Sequence, residues 1–326
     1  MTYLVTGSSG HLGEALVKVL RELGRDVISI DIKAGPYTDV VGNISDAGLV
    51  GELMSGVSHV LHAATLHKPH VETHSRQDFI DTNITGTQTL LDAAIRKGVS
   101  SFVFTSTTST FGDALKPPPG DPAAWITEDV VPQVKNIYGA TKLAAEDLCF
   151  IAHRKDELPA LVLRTSRFFP EDQDDKATRD DFSRENTQVN EFLNRRVDIE
   201  DVVSAHLLAA DRAKDIGFSK YIITATSPFG KDDLAQLRND PAGALRRYVN
   251  FEPAYEALGW QMQGEMDRVY VNAKARAELG WEPKQDFEHV LARVASGGPV
   301  LSDLAQAIGV KGYHDQVFDE GPYPVG

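Results

Sequence analysis

The first third of the chain alternates short apolar runs with amphipathic stretches. Apolar, β-rich runs fall at Tyr3–Thr6, Val27–Ile30, His59–His62 and Phe102–Thr105. Helical patterns lie between them, over His11–Leu23, Asp46–Met54 and Arg76–Lys97. A further helix is predicted over Tyr138–His153 and a strand over Ala160–Arg164, with later short strands at Tyr221–Ala225 and Val269–Val271. Strands and helices alternating through short connections predict an α/β fold, a doubly wound parallel sheet with helices on both faces.

The pattern lapses after Pro170. Glu171–Glu185 is dense in charge and almost free of large apolar groups. Such a stretch cannot bury a core, so it reads as a solvated loop or as a lid that closes on a substrate. The expected division is a nucleotide-binding unit over 1–165, joined again by segments near 200–226, and a mainly substrate-binding region over 166–326. At 326 residues the chain exceeds the usual single core, and 42% hydrophobic with 25% charged residues is a globular rather than a disordered composition.

Charge and leader signals narrow the class. A net charge of −14 argues against nucleic acid as a partner, because a generic binder carries a basic face. No apolar run approaches the roughly 18 residues of a membrane span. MTYLVTGSSG has no basic leader followed by an apolar stretch, and the single cysteine, Cys149, fits a reducing compartment. A cytoplasmic location is therefore expected, with a small molecule as partner and a homodimer left open.

The first strand runs into Gly7-Ser8-Ser9-Gly10-His11-Leu12-Gly13, and a helix follows. Glycine here lets the chain turn tightly, lets backbone approach a pyrophosphate, and lets helix pack close to strand. The helix N-terminus then attracts the phosphates. Strand, glycine turn and helix together predict a Rossmann-type dinucleotide site. Asp31 ends the second strand eighteen residues past Gly13. A carboxylate there accepts the adenosine ribose hydroxyls and repels a 2′-phosphate, which favours NAD over NADP although Lys33 is near.

Tyr138 and Lys142 stand four apart, on one face of a predicted helix. A lysine cation and an oxidised nicotinamide both favour a phenolate, which could bring the tyrosine from its usual value near 10 toward neutrality. The phenol would then exchange a proton with a substrate hydroxyl while a hydride moves to or from the cofactor. Thr105-Ser106-Thr107-Thr108-Ser109-Thr110-Phe111-Gly112 lies upstream at the end of a strand.

In these motifs and their order the chain resembles the extended short-chain dehydrogenases/reductases, the NAD-dependent epimerase/dehydratase group. The motifs are TGSSGHLG (6–13), Asp31, Asn43-Ile44, His62-Ala63-Ala64, NITGT (83–87), the threonine-rich run, YGATK (138–142), RRVDIEDV (195–202) and KARAELGWEP (274–283). The resemblance implies that Thr107 hydrogen-bonds the reacting oxygen, Tyr138 is the acid/base, and Lys142 holds the nicotinamide ribose. It implies adenine flanked by Asn43 and Ile44, with Ile32 beside Asp31 and Ser9, His11 and Leu12 in the cradle. Ala63, Ala64 and Thr65 would line the cofactor, Asn83 would hold that segment, and Thr105 and Thr165 would join them. Thr108, His67, Ser166 and Arg167 are the implied substrate contacts. The activity expected is hydride transfer at a secondary alcohol or ketone of a sugar-like substrate. Epimerisation by the same trio is one alternative, and a non-catalytic dinucleotide sensor is another.

Three departures shape this expectation. Thr107 is followed by Thr108 and Ser109, where family dehydratases carry an Asp-Glu pair, so dehydration is disfavoured. Arg167 replaces the asparagine of many nucleotide-sugar members. Its guanidinium would either clamp an acidic substrate or pair with an acid in Glu171–Asp175, and the first reading tilts the expectation toward a dehydrogenase. His62, His67, His70 and His74 lack a metal-binding pattern, and no metal is expected. Leu279-Gly280-Trp281 is expected to be structural, and the polar run 309–326 carries no assignment.

Overall fold

The structure is a computed structural model that describes residues 1–172, 175–312, 314 and 318. The chain begins β1 (Thr2–Thr6), α1 (His11–Glu22), β2 (Asp26–Asp31), β3 (Val40–Val41), α2 (Ala47–Leu53) and β4 (Val57–His62). It continues α3 (Arg76–Phe79), α4 (Gly86–Lys97), β5 (Ser101–Thr107), β6 (Ala124–Ile126), α5 (Ile137–Asp156) and β7 (Ala160–Thr165). Then follow α6 (Lys176–Asp181), α7 (Arg184–Phe192), α8 (Ile199–Ile216), β8 (Phe218–Ile223) and, much later, β9 (Arg268–Tyr270). Seven strands form one parallel sheet in the order β3-β2-β1-β4-β5-β7-β8. The order reverses between β1 and β4, and a ligand crevice forms at such a point beyond the strand carboxyl ends.

Alternation along the strands feeds two cores. Tyr3, Val5, Leu61, Val103 and Leu163 face α1 and α8, while Leu4, Val60, Phe102, Phe104 and Val162 face α2, α4 and α5. Trp281 is fully buried in the first core, its indole N–H donating to Asp201 O and Ser204 Oγ on α8. Gly280 just before it ends the helix Ala273–Leu279 at φ +69°, where glycine avoids strain. A third core gathers Phe192, Phe229, Phe251, Tyr255 and Phe287 around α7. The parallel pair β6–β9 packs with Phe111 and Ile222 in a smaller cluster.

Several expected elements differ. The predicted helix 76–97 is broken by a π-helical turn at Ile80–Thr85, and such turns occur often at functional sites. The strand expected at 221–225 spans Phe218–Ile223 instead, because its polar first half pairs with β7 as fully as its apolar second half. The charged run after Pro170 is not wholly a solvated loop. Its α6 buries nothing, but Glu171 is only 7% exposed and α7 begins at Arg184. The run 309–326 lies largely outside the described residues. Among the described residues no helix is long and apolar enough to cross a membrane.

Candidate active site

A cavity of about 530 Å³ follows the carboxyl edge of β1, β2, β4, β5 and β7. Its first bank is the turn after β1. Gly7 has φ +78°, and a Cβ there would meet Ala64 N at 2.7 Å. A Cβ on Gly13 would fall 2.0 Å from Gly7 O, so only glycine lets α1 start this close to the strand. No side chain caps α1 at Gly10. That leaves an open helix N-terminus, which suits a dinucleotide's phosphates. Ser9, His11 and Leu12 complete this bank.

Asp31 marks the far end. Its Oδ2 accepts Ser9 N–H (3.0 Å) and its Oδ1 accepts Lys33 N–H (2.9 Å). Each oxygen keeps a further acceptor site for a ribose hydroxyl. Ile32, Asn43 and Ile44 line the same end.

The second bank hangs from β4 by a hydrogen-bond chain. Thr87 donates to Asn83 O, so His62 Nε2–H donates to Thr87 and His62 Nδ1 accepts from Thr6. Thr6 in turn accepts Ala64 N–H (3.1 Å). Burial holds the His62 pKa well below its usual value, as a neutral link requires. Ala63, Ala64 and Thr65 line the cavity. Asn83 does not line it. From the π-helical turn, Asn83 accepts from Leu66 N–H and Thr65 Oγ1–H and donates to Leu66 O and Thr141 Oγ1. Asn83 thus holds that segment, as expected, and ties the second bank to α5 without lining the cavity itself.

Thr107, Tyr138 and Lys142 converge at the inner end. The Tyr138 phenol hydrogen-bonds Thr107, but burial dominates and pushes it up to about 12. Lys142, only 2% exposed, is pushed down to about 7 by burial, with Glu146 opposing the change. Its ammonium lies 4.0 Å from the Phe104 ring centroid. Desolvation dominates at Tyr138, and the hydrogen bond with Thr107 is the contribution that opposes it. Below the trio, buried Glu146 accepts from Ser106 Oγ (2.6 Å) and takes Arg164 bidentately (3.0 and 2.7 Å). Glu146 is one helical turn beyond Lys142, a spacing readable in the sequence. His206 Nδ1–H donates to Val202 O, so its Nε2 accepts from Thr105, fixing that residue from behind. Thr165 and Thr108 also line the cavity.

The outer end is dominated by charge. Ser166 lines the cavity, and its buried hydroxyl has no hydrogen-bond partner among the described residues. His67 stacks on Phe169 with centroids 5.5 Å apart and stands 6.5 Å from the Tyr138 ring. Arg167 enters the wall but is engaged. Its Nη2 donates to Asp172 O (2.9 Å) and Glu171 O (3.3 Å), and its Nε lies 3.8 Å from Glu191. Glu191, 1% exposed, also pairs with Arg196 (2.8 Å) and Arg195 (3.0 Å). Burial raises its pKa, but the three arginines more than offset this and leave it below the usual value. The sequence reading missed Lys68, Arg195 and Arg268 in this wall. Lys68 reaches the surface, yet partial burial, then Arg167, Lys135, Arg195 and Lys116, hold it down to about 8. Among the described residues, no group of three or more His, Cys, Asp or Glu is arranged to hold a metal ion.

A parallel sheet whose switch-point crevice carries a glycine cradle and a Tyr-x-x-x-Lys face defines a dinucleotide-dependent oxidoreductase class. The NAD dependent epimerase/dehydratase family model matches residues 3–223, and the chain belongs to that family as an NAD-dependent enzyme. It is 30% identical over 329 residues to a dTDP-glucose 4,6-dehydratase of Streptomyces antibioticus, covering 90% of this chain and 91% of that one. A UDP-glucose 4-epimerase of Lactobacillus helveticus is 26% identical over 325 residues, 88% and 93% of the two chains. An uncharacterised protein of Sinorhizobium fredii is 32% identical over 169 residues, and the match spans 40% of its length. A short-chain dehydrogenase/reductase superfamily protein of Agrobacterium tumefaciens, solved with NAD, shares the fold at TM-score 0.65 and 24% identity, covering 91% and 96%.

Proposed function

We propose that this enzyme moves a hydride at a secondary alcohol or ketone of a sugar-like substrate bearing an anionic group. The observation that carries this reading is the meeting of Thr107, Tyr138 and Lys142 at the inner end of one cavity whose outer end is basic. The first 165 residues, with the returning segments near 200–226, would carry the cofactor. The remainder of 166–326 would shape the substrate end.

The chain's own groups supply the following. Thr107 donates a hydrogen bond to the reacting oxygen and aligns it with Tyr138. Tyr138 removes the hydroxyl proton. With its phenol pushed up to about 12, Tyr138 needs a nearby positive charge to ionise. Lys142 provides one such charge and would hold the nicotinamide ribose. NAD, when bound, accepts the hydride and contributes the second charge. Asp31 would orient the adenosine ribose, and Ser166 offers an unused hydroxyl to the substrate.

Lys68 and Arg195, with Arg167 behind them, favour an acidic sugar or a sugar carrying phosphate. Arg167 no longer singles out a net dehydrogenase, since its guanidinium already holds the Glu171–Asp172 backbone. The similarity to a 4-epimerase supports a second reading, in which the intermediate ketone turns and the hydride returns to its other face. Elimination of water has the similarity to a 4,6-dehydratase in its favour, but Thr108 and Ser109 after Thr107 supply no carboxylate for it. The test is a panel of neutral sugars, uronates and nucleotide-sugars. A dehydrogenase accumulates reduced nicotinamide in proportion to product, whereas an epimerase gives the isomer without net reduction. Equal turnover of neutral and acidic sugars would remove the anionic requirement, and Arg167→Ala should slow both classes alike if it only holds the loop.

A further inference from the structure

Residues from the far end of the sequence stand on both banks of the crevice. Lys311 and Gly312 line the cavity although they are about 300 residues from the glycine cradle. Lys311 Nζ lies 2.6 Å from Glu14 Oε2 in the first turn of α1. Lys311 N–H donates to Glu171 Oε1 (3.0 Å), and the same oxygen lies 2.8 Å from His11 Nε2 in the cradle. On the opposite bank His314 Nε2 meets Pro69 O at 2.9 Å, with its ring against His70 at 5.4 Å. Lys311 is thus pinned to α1 and Glu171, and His314 to the loop after β4.

We propose that Lys311 and His314, each fastened to one bank of the crevice, act as a strap that retains the bound dinucleotide. Lys311 thereby becomes a positioning residue of the cofactor site. The inference rests on the reading that NAD occupies this crevice.

Charge supports the assignment. Glu14 and Glu171 are 6% and 7% exposed and stand beside the cradle meant for a diphosphate. Two nearly buried carboxylates there would repel the phosphates, and their field is poorly screened. Lys311 contacts both residues, neutralising Glu14 with its ammonium and donating a hydrogen bond to Glu171 from its backbone N–H. It also ties Glu171 to the chain's end, so cradle, substrate-side loop and strap share one anchor. The preceding helix, Asp303–Ile308, buries Ala305 and Ile308 in the α1–α8 core, so the strap has a fixed root.

The experiment measures NADH release, following nicotinamide fluorescence while excess NAD displaces it. The variants are Lys311→Ala, Lys311→Arg and a chain ending at Val310, and melting without nucleotide checks each fold. Lys311→Ala should speed release about three- to tenfold, as for a partly exposed ion pair near a ligand. The shortened chain should release faster still, and Lys311→Arg should stay near wild type. Unchanged release from a shortened chain that still binds NADH overturns the strap and leaves the cofactor reading standing. The same holds if Lys311→Ala and Lys311→Arg release equally fast. Failure of the wild type to bind NADH would overturn the cofactor reading itself, and the strap with it.

Discussion

The end of the crevice that we assign to the cofactor and the end that we assign to the substrate are built from different materials. The cofactor end is mostly backbone, with Gly7 and Gly13 placed where any Cβ would collide and an open α1 N-terminus beside them. The substrate end is mostly long charged side chains: Arg167, Arg195 and Arg196 converge on Glu191, and Lys68 stands among further cations. Backbone geometry admits few sequences, so the first end leaves a motif. Charged side chains satisfy one another in many arrangements, and so the second end does not reveal from sequence which cation is committed to the fold.

The largest expected effect probes the trio between these ends. Tyr138→Phe keeps the ring and removes the ionisable hydroxyl, so kcat should fall on the order of 10²–10⁴. NAD affinity, measured by titration, should hold, because the cradle is untouched. Full activity in Tyr138→Phe would remove it from the mechanism.

Next comes the charge cluster at the substrate end. Glu191→Ala takes from three arginines the buried carboxylate they share, Arg196 being buried with it, and removing one member of a buried pair costs about 3–5 kcal/mol. Urea unfolding should show that loss; a change no larger than that of a surface substitution would mean the cluster is solvated. This is also the region where sequence reading stopped short. Arg167 was visible as a departure from family pattern, but only geometry shows its Nη2 on the carbonyls of Glu171 and Asp172.

Acid should separate the ends as well. Burial lowers His206 to about 4 and holds His62 and His67 well below 6.5. The unfolded chain therefore binds more protons between about pH 4 and 6.5, so stability is full above that window and falls as pH drops through it. His206 alone accounts for a loss on the order of 3 kcal/mol. Asp201, raised to about 6 mainly by burial, works in the opposite sense, but three histidines outnumber it. A flat unfolding free energy from about pH 7 to 5 would contradict this account.

The smallest effect sharpens the cofactor end. Asp31→Ala should narrow the preference for NAD over NADP by about tenfold or less, since the carboxylate is partly exposed and already accepts Ser9 and Lys33 N–H. Comparison of the four dissociation constants checks it, and a wild-type preference for NADP would reverse the assignment.

Most of the sheet was legible because its strands are apolar runs between amphipathic helices, as at Tyr3–Thr6 and Phe102–Thr105. Glycine spacing and the Tyr138–Lys142 interval likewise followed from local geometry. What escaped depends on distant partners. His206 on α8 holds Thr105, Asn83 holds Leu66 through a π-helical turn inside a helical pattern, and Lys311 reaches Glu14 across 297 positions. The burial that raises the Tyr138 pKa likewise comes from distant packing, whereas the lysine four residues on is visible in sequence.

The central claim, hydride transfer at the site between the two ends, is tested most directly with an isotope. A sugar that turns over in the panel is prepared with deuterium on the carbon bearing the reacting hydroxyl, and the reaction is quenched within the time of one wild-type turnover so that nicotinamide still carrying the transferred label is recovered. The account predicts deuterium on the nicotinamide in the wild type and almost none over the same interval in Tyr138→Phe with NAD still bound. Turnover that leaves the nicotinamide unlabelled, with deuterium lost to water, would contradict it.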